Sequence, residues 1–300
     1  MSSSLSPSRL ANYATCPRLY DYRHAQDVNA PDRTELYLNQ GTIYHETIED
    51  VCDATDRDDD PETIHDRAMQ VFDAKWDEHS TPDDYESAAH QEYQRAENRA
   101  AIASFFDPDG SDGIEHARYS VATECWVECE VDGRELHGKA DNVIRTDDGL
   151  HIFDYKRNTN GVLSSGTAEY LGDHLDGEAH EPKRVRNAFQ TATYAEGVKN
   201  EPFYEDGMEV RFSFYGILNS TSFESTPSGY DVSARGWPRE TTEIYEEHYD
   251  TIWALIRDAH DGITSETYEP DLLDLITEEA CPDCDYREMC ADRLPTEVQR

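Results

Sequence analysis

Three side chains near the middle of the chain have the types and spacing for phosphate chemistry. Asp141, Asp154 and Lys156 lie within Gly138–Lys156, GKADNVIRTDDGLHIFDYK. Carboxylate oxygens are hard ligands that suit Mg²⁺ or Mn²⁺. A lysine beside them can orient an attacking water and counter developing negative charge. The pattern D…(D/E)-x-K is thus suited to metal-dependent phosphodiester hydrolysis. D-x-K alone equally fits a surface hairpin with a cross-strand ion pair.

A hairpin must bring the three together. Asp148-Gly149 is a two-residue turn signal, which pairs Asp147 with Leu150, Val143 with Asp154 and Asp141 with Lys156. Side chains alternate along a strand and paired residues share a face, so all three point one way. A four-residue loop over Thr146–Gly149 would pair Asp141 with Asp154 and keep that face. A three-residue loop would not.

Other elements must flank this hairpin. Residues 118–131 alternate, with Tyr119, Val121, Cys125, Val127, Cys129 and Val131 on one side. Glu124, Trp126, Glu128 and Glu130 form the other; Glu124 is within reach of the site from there, but the face reads preferentially as solvated and acidic. Asp132-Gly133 turns the chain into the hairpin. Residues 40–52 form a helix with an apolar stripe of Tyr44, Ile48, Val51 and Cys52. Gly41, His45 and Glu49 lie on an adjoining face, the glycine admitting a close backbone. His45 alone reads as an ordinary exposed or core histidine.

Residues 182–198, PKRVRNAFQTATYAEGV, begin a helix at Pro182. Lys183, Arg184 and Arg186 are its basic cluster. Arg186, Gln190 and Tyr194 recur every four residues and line one face. That face suits a nucleic-acid backbone, with Tyr194 placed to stack on a base. An amphipathic helix resting on Val185, Phe189 and Ala192 accounts for the pattern equally well.

The remaining pieces read as scaffold. A helix starts at Ser6-Pro7, two more span 61–79 and 83–106, and Asp107–Gly113 is a loop. Residues 158–181 are loop-like, strands follow at 208–219 and 223–232, and a helix spans 238–262. Seven cysteines occur, three of them in Cys281-x2-Cys284-x5-Cys290. Such a cluster reads as metal ligands, and Cys16, before Pro17, is the natural fourth. Zinc and a [4Fe–4S] cluster both accept four thiolates.

Charge is extreme: 26 basic against 65 acidic residues give −39. The acids are spread along the chain among regular apolar positions, which argues against disorder. The composition reads as halophilic adaptation, so acidity does not exclude a polyanionic partner. Only five lysines remain, Lys75, Lys139, Lys156, Lys183 and Lys199. The absence of an 18-residue apolar run and of a signal peptide points to a cytoplasmic protein without a membrane partner.

Taken in order, six motifs resemble one known set. They are Cys16-Pro17, G-x-x-x-H at Gly41–His45, G-x-x-D at Gly138–Asp141, D-x-K at Asp154–Lys156, Q-x-x-x-Y at Gln190–Tyr194, and the Cys281–Cys290 run. The set resembles PD-(D/E)XK nucleases of the RecB/AddB type, including stand-alone CRISPR-associated exonucleases that carry an iron–sulfur cluster. The likeness extends from Cys16 to Cys290.

The resemblance implies an α/β fold. Its restriction-endonuclease-like core is a mixed central sheet flanked by helices, with N-terminal helices and a C-terminal iron–sulfur segment. It implies one nuclease domain over 1–300, divided into mainly helical 1–107, a core at 116–235, and a helix and cysteine segment at 236–300. It implies that His45, Asp141, Asp154 and the Tyr155 backbone carbonyl bind Mg²⁺ or Mn²⁺, and that Lys156 positions water. Gln190 and Tyr194, with Lys183, Arg184 and Arg186, would contact DNA. Cys16, Cys281, Cys284 and Cys290 would hold [4Fe–4S] in preference to zinc.

The implied activity is a metal-dependent DNA exonuclease acting on single strands or DNA ends, in repair, recombination or CRISPR adaptation. The extra helices at 61–106 depart from compact CRISPR-associated members. No G-x-x-x-x-G-K-[ST] is present, so a helicase or CRISPR adaptation proteins would be separate partners. Two rival readings are a non-catalytic iron–sulfur DNA-binding subunit of a helicase–nuclease complex and a zinc-stapled structural protein. The intact set His45, Asp141, Asp154 and Lys156 argues against the first.

Overall fold

Residues 149–156, GLHIFDYK, are buried at every position but the last, so both faces of this strand must be covered. The computed structural model describes residues 4–30, 36–226 and 229–293. The strand is the middle one of a five-stranded sheet in sequence order. The strands are β1 Ser120–Val131, β2 Arg134–Arg145, β3 Gly149–Lys156, β4 Glu209–Thr226 and β5 Gly229–Glu240. The β3–β4 pair is parallel and the other pairs are antiparallel.

Helices α1 Pro7–Thr15, α2 Pro17–Tyr20, α3 Leu36–Asp53, α4 Pro61–His79, α5 Ala88–Phe105 and α6 Asp112–Tyr119 precede the sheet. Helices α7 Tyr170–Leu175 and α8 Pro182–Gly197 form the crossover that a parallel pair requires. Then come α9 Thr242–Glu247, α10 Tyr249–Thr264 and α11 Leu273–Glu279. Ile144, Phe153, Tyr155 and Tyr215 pack against α3 to α6 through Tyr44, Ile48, Phe72 and Phe105. Val143, Ile152, Phe212 and Phe214 pack on the other side against Tyr194 and Val198. Helices α1, α8 and α10 close a further cluster around Leu10, Phe189 and Trp253. Among the described residues no helix is long and apolar enough to cross a membrane.

Several expected boundaries move. β2 and β3 pair as Arg145↔Leu150 through Asn142↔Phe153. This is the four-residue Thr146–Gly149 register; the two-residue turn and its pairings do not form. The Thr146 N–H donates to the Gly149 carbonyl at 2.9 Å, and the Gly149 N–H to Thr146 Oγ1 at 3.1 Å. Gly149 is needed for a different reason: a Cβ there would lie 2.0 Å from the Glu209 carbonyl of incoming β4.

The loop expected at Asp107–Gly113 ends early because Ile114 and Ala117, three apart, bury as one turn of α6. β4 runs on to Thr226 and β5 to Glu240, since Ser, Thr and aromatic residues continue the pleat; residues 227–228 lie outside the described residues. The helix expected over 238–262 begins at Thr242 and is divided at His248.

His116 and His151 are buried in this core. His116 Nδ1 lies 2.8 Å from the Tyr155 hydroxyl, and His151 Nε2 lies 2.8 Å from Ser213 Oγ. Burial pushes each imidazole down to about 3. A folded pKa below the ordinary ~6.5 means that their contribution to stability is present above ~6.5 and lost as pH falls toward 3. His116→Asn is expected to flatten the pH slope of unfolding free energy in that window by up to about 1.4 kcal/mol per pH unit. Chemical denaturation from pH 7 to 4 measures it. An unchanged slope would show that His116 titrates normally inside the fold.

Candidate active site

Pairing of β2 with β3 stops at Asn142↔Phe153. Asp141 and Asp154, the next residues, therefore stand where the strands part. The backbone N–H of Tyr155 donates to Asp141 Oδ2 at 2.6 Å. A buried amide must find a partner, and here the carboxylate takes the place of the ladder. From α3, His45 brings Nδ1 to 3.3 Å from the same oxygen. Burial pulls the imidazole down, but the Asp141 carboxylate more than offsets it, and the His45 pKa is raised.

Asp154 is 4% exposed. Its Oδ1 accepts a hydrogen bond from Gln190 Nε2 at 2.9 Å, and its Oδ2 lies 2.6 Å from Lys156 Nζ. Burial raises this carboxyl above the usual range; the Lys156 ammonium opposes the shift and the Asp141 charge adds to it. His45, Asp141, Asp154, Lys156 and Gln190 are thus brought to one place, from α3, β2, β3 and α8.

Helix α8 reaches this place because Gly138 has no side chain. A Cβ at Gly138 would sit 2.3 Å from Tyr194 Cε1. The Tyr194 ring is 7% exposed and packs against Phe212, with ring centres 5.7 Å apart. It offers no free face to a base, so the stacking role expected for it is corrected. Burial, and then the Asp154 and Asp141 charges, raise its phenol pKa, which places the ring beside the acids.

The basic cluster of α8 is divided. Arg184 is ion-paired to Glu181 and lies 5.0 Å over the Tyr170 ring. Lys183 and Arg186 instead line a recess of about 220 Å³ together with Cys16, Cys281, Cys284 and Cys290. Arg18 pairs with Asp292 at 2.6 Å, and Arg23 pairs with Asp285, tying the N-terminal helices to the C-terminal segment. Tyr286 donates to the Val28 carbonyl at 2.9 Å and packs with Leu19 and Tyr22. Burial pushes the Cys16 thiol up to about 11 despite nearby backbone N–H groups.

Two expectations fail locally. A Cβ at Gly41 would meet nothing within 4 Å among the described residues, so no close backbone explains that glycine. Glu124 does not lie on a merely solvated face. Its carboxylate, His45 and Asp141 offer ligand atoms within 4.8 Å of one another. Counting back from the Asp132-Gly133 turn, through Val131↔Arg134 to Cys125↔Ala140, sets Glu124 opposite Asp141. That count was available in the sequence. The alternation concealed it, because Glu124 has φ 45° and the strand kinks there. Beyond the kink Ala122 faces inward and Val121 is 38% exposed.

The profile of the PD-(D/E)XK nuclease superfamily matches residues 4–291. The chain belongs to that superfamily. The mixed five-stranded sheet flanked by helices is its restriction-endonuclease-like α/β fold, and nuclease activity follows from membership. A solved protein of Eubacterium rectale, named "Putative exonuclease", is similar over 87% of this chain and 82% of its own, at 14% identity and a TM-score of 0.46. No curated protein matches the sequence.

Nucleases of this superfamily use divalent metal ions, and the donor set fits one: carboxylates and an imidazole, with a lysine and an amide beside them. The Gly138–Tyr194 contact is testable. Gly138→Ala is expected to cost about 1–3 kcal/mol by overpacking. Adding Tyr194→Ala should recover part of it, giving a coupling of at least about 0.5 kcal/mol in a double-mutant cycle. Additive losses would show that the two side chains do not meet.

Proposed function

We propose that the nuclease is a metal-dependent DNA exonuclease of the RecB/AddB type, acting on single-stranded DNA or DNA ends. The observation that carries this reading is the convergence of His45, Asp141, Asp154, Lys156 and Gln190 where β2 and β3 part. His45, Asp141, Asp154 and the Tyr155 carbonyl would hold Mg²⁺ or Mn²⁺. The cation when bound supplies charge neutralisation at the phosphate and lowers the pKa of water.

The chain's own groups do the rest. Lys156 orients the attacking water and faces the charge that develops on phosphorus oxygens. Gln190 fixes the buried Asp154 carboxylate and so its orientation toward the reacting phosphate. Tyr194 supports that helix face from within. Arg186 and Lys183, at the far end of the face, suit the strand's backbone, with Arg184 held back by Glu181. The activity belongs to repair, recombination or CRISPR adaptation, with any helicase or adaptation protein as a separate partner. The whole of 1–300 acts as one nuclease unit in the cytoplasm.

The four cysteines at the recess are assigned to a [4Fe–4S] cluster. All four line one recess, to which Cys16 comes from the N-terminal helices and the other three from the C-terminal segment. Zinc is the alternative that four thiolates also accept. Anaerobically purified protein is expected to be brown, with iron and sulfide near four each per chain. Substituting any one of Cys16, Cys281, Cys284 or Cys290 should remove the colour, and substituting Cys52, Cys125 or Cys129 should keep it. A colourless protein with one tight zinc would reverse the assignment.

The acidic chain suits molar salt, where the Debye length is ~3 Å and self-repulsion is screened. Cleavage of single-stranded DNA labelled at either end, with Mg²⁺ or Mn²⁺ across a KCl series, tests the function. Activity should rise with KCl as the fold is restored. Asp154→Ala and Lys156→Ala should each reduce the rate by about 100- to 1,000-fold with the fold intact by circular dichroism. Near-normal rates in either variant would refute the site assignment, and full activity in dilute buffer would refute the halophilic reading.

A further inference from the structure

We infer that Glu124 is a further cation ligand of the nuclease site and that Lys139 occupies it until the cation arrives. The inference rests on the metal site proposed above. The ligand atoms of His45, Glu124 and Asp141 already lie within 4.8 Å of one another. Octahedral coordination at ~2.1 Å places neighbouring ligand atoms about 3 Å apart and opposite ones about 4.2 Å apart. Small side-chain shifts bring these three into that range. Asp154, a ligand of the site proposed above, lies outside this group of three, with Gln190 and Lys156 at its two oxygens.

Glu124 lies opposite Asp141 by the β1–β2 register and takes φ 45°, at a kink in β1. Its carboxylate is ion-paired to the Lys139 ammonium. Lys139 also lies near Glu49, whose carboxyl it pulls down against the rise caused by burial and neighbouring acids. Without an ammonium there, Glu124 and Asp141 would repel each other across the strands in a chain of charge −39. The ammonium offsets that repulsion and competes for Glu124 with any other cation.

The Glu124 carboxylate would join those of Asp141 and Asp154 and a neutral His45 imidazole, a donor set that suits a divalent cation. A bound cation would take over the role of the ammonium, and the Lys139 side chain, 55% exposed, could leave without unpacking anything.

Mn²⁺ binding to the full-length chain in molar KCl tests this, read as the loss of the free-ion electron paramagnetic resonance signal and by calorimetry. High salt suppresses adventitious binding to surface acids. Glu124→Gln is expected to weaken binding by about tenfold or more, the smaller of the effects known for residues that only support a metal site. Lys139→Gln removes the competitor and is expected to tighten binding about two- to fivefold, the worth of an exposed ion pair. Wild-type affinity in Glu124→Gln, with binding abolished in Asp141→Asn, overturns the ligand role of Glu124 and leaves the proposed site standing. Wild-type affinity in Asp141→Asn overturns the proposed site itself. Unchanged or weaker binding in Lys139→Gln overturns the placeholder role.

Discussion

The site depends on one unpaired amide. Where β2 and β3 separate, the Tyr155 N–H turns to the Asp141 carboxylate at 2.6 Å. That bond does two things at once. It satisfies a main-chain donor that the ladder has abandoned, and it fixes a carboxylate within 3.3 Å of His45. The Tyr155 side chain anchors the same point from below. Its hydroxyl meets His116 at 2.8 Å and accepts from Asn142 Nδ2 at 3.1 Å. The separation of the strands is therefore held by a buried polar network on one side and the acidic site on the other.

Helix α8 joins two short motifs into one object. Gly138 of G-x-x-D admits the Tyr194 ring of Q-x-x-x-Y, and the helix is then close enough for Gln190 to hold Asp154. Asp154 is nearly inaccessible, so its charge depends on these partners: the Lys156 ammonium on one oxygen and an amide on the other. Removing one partner of such a buried pair leaves an uncompensated charge, which costs far more than forming the pair returns.

The two ends of the chain meet around the cysteines. Ion pairs from Arg18 and Arg23, and the Tyr22–Tyr286 ring contact at 5.6 Å, frame the recess. The same helix face that ends at Gln190 begins there, at Lys183 and Arg186. Helix α8 therefore links the recess, at its first turns, to the nuclease site, at Gln190 and Tyr194.

Much of this was legible in the sequence because it is local or periodic. The motif order, the strand alternation around Cys125–Val131, and the period of α3 and α8 follow from residue type and spacing. The convergence of the acids also followed, since either hairpin register put them on one face. Tertiary structure decided what depends on neighbours distant in sequence. The four-residue register of Thr146–Gly149 answers to β4, whose backbone presses on Gly149. Tyr194 is buried because the strand beneath it lacks a side chain. Arg184 parts from Lys183 and Arg186 because Glu181 and Tyr170 compete for it. Glu124 lies opposite Asp141 by the hairpin count, but its φ of 45° and the inward turn of Ala122 beyond it are encoded by no alternation pattern. Local pattern sets which face a side chain takes; which atom it finally meets is set by packing, and packing is a property of the whole chain.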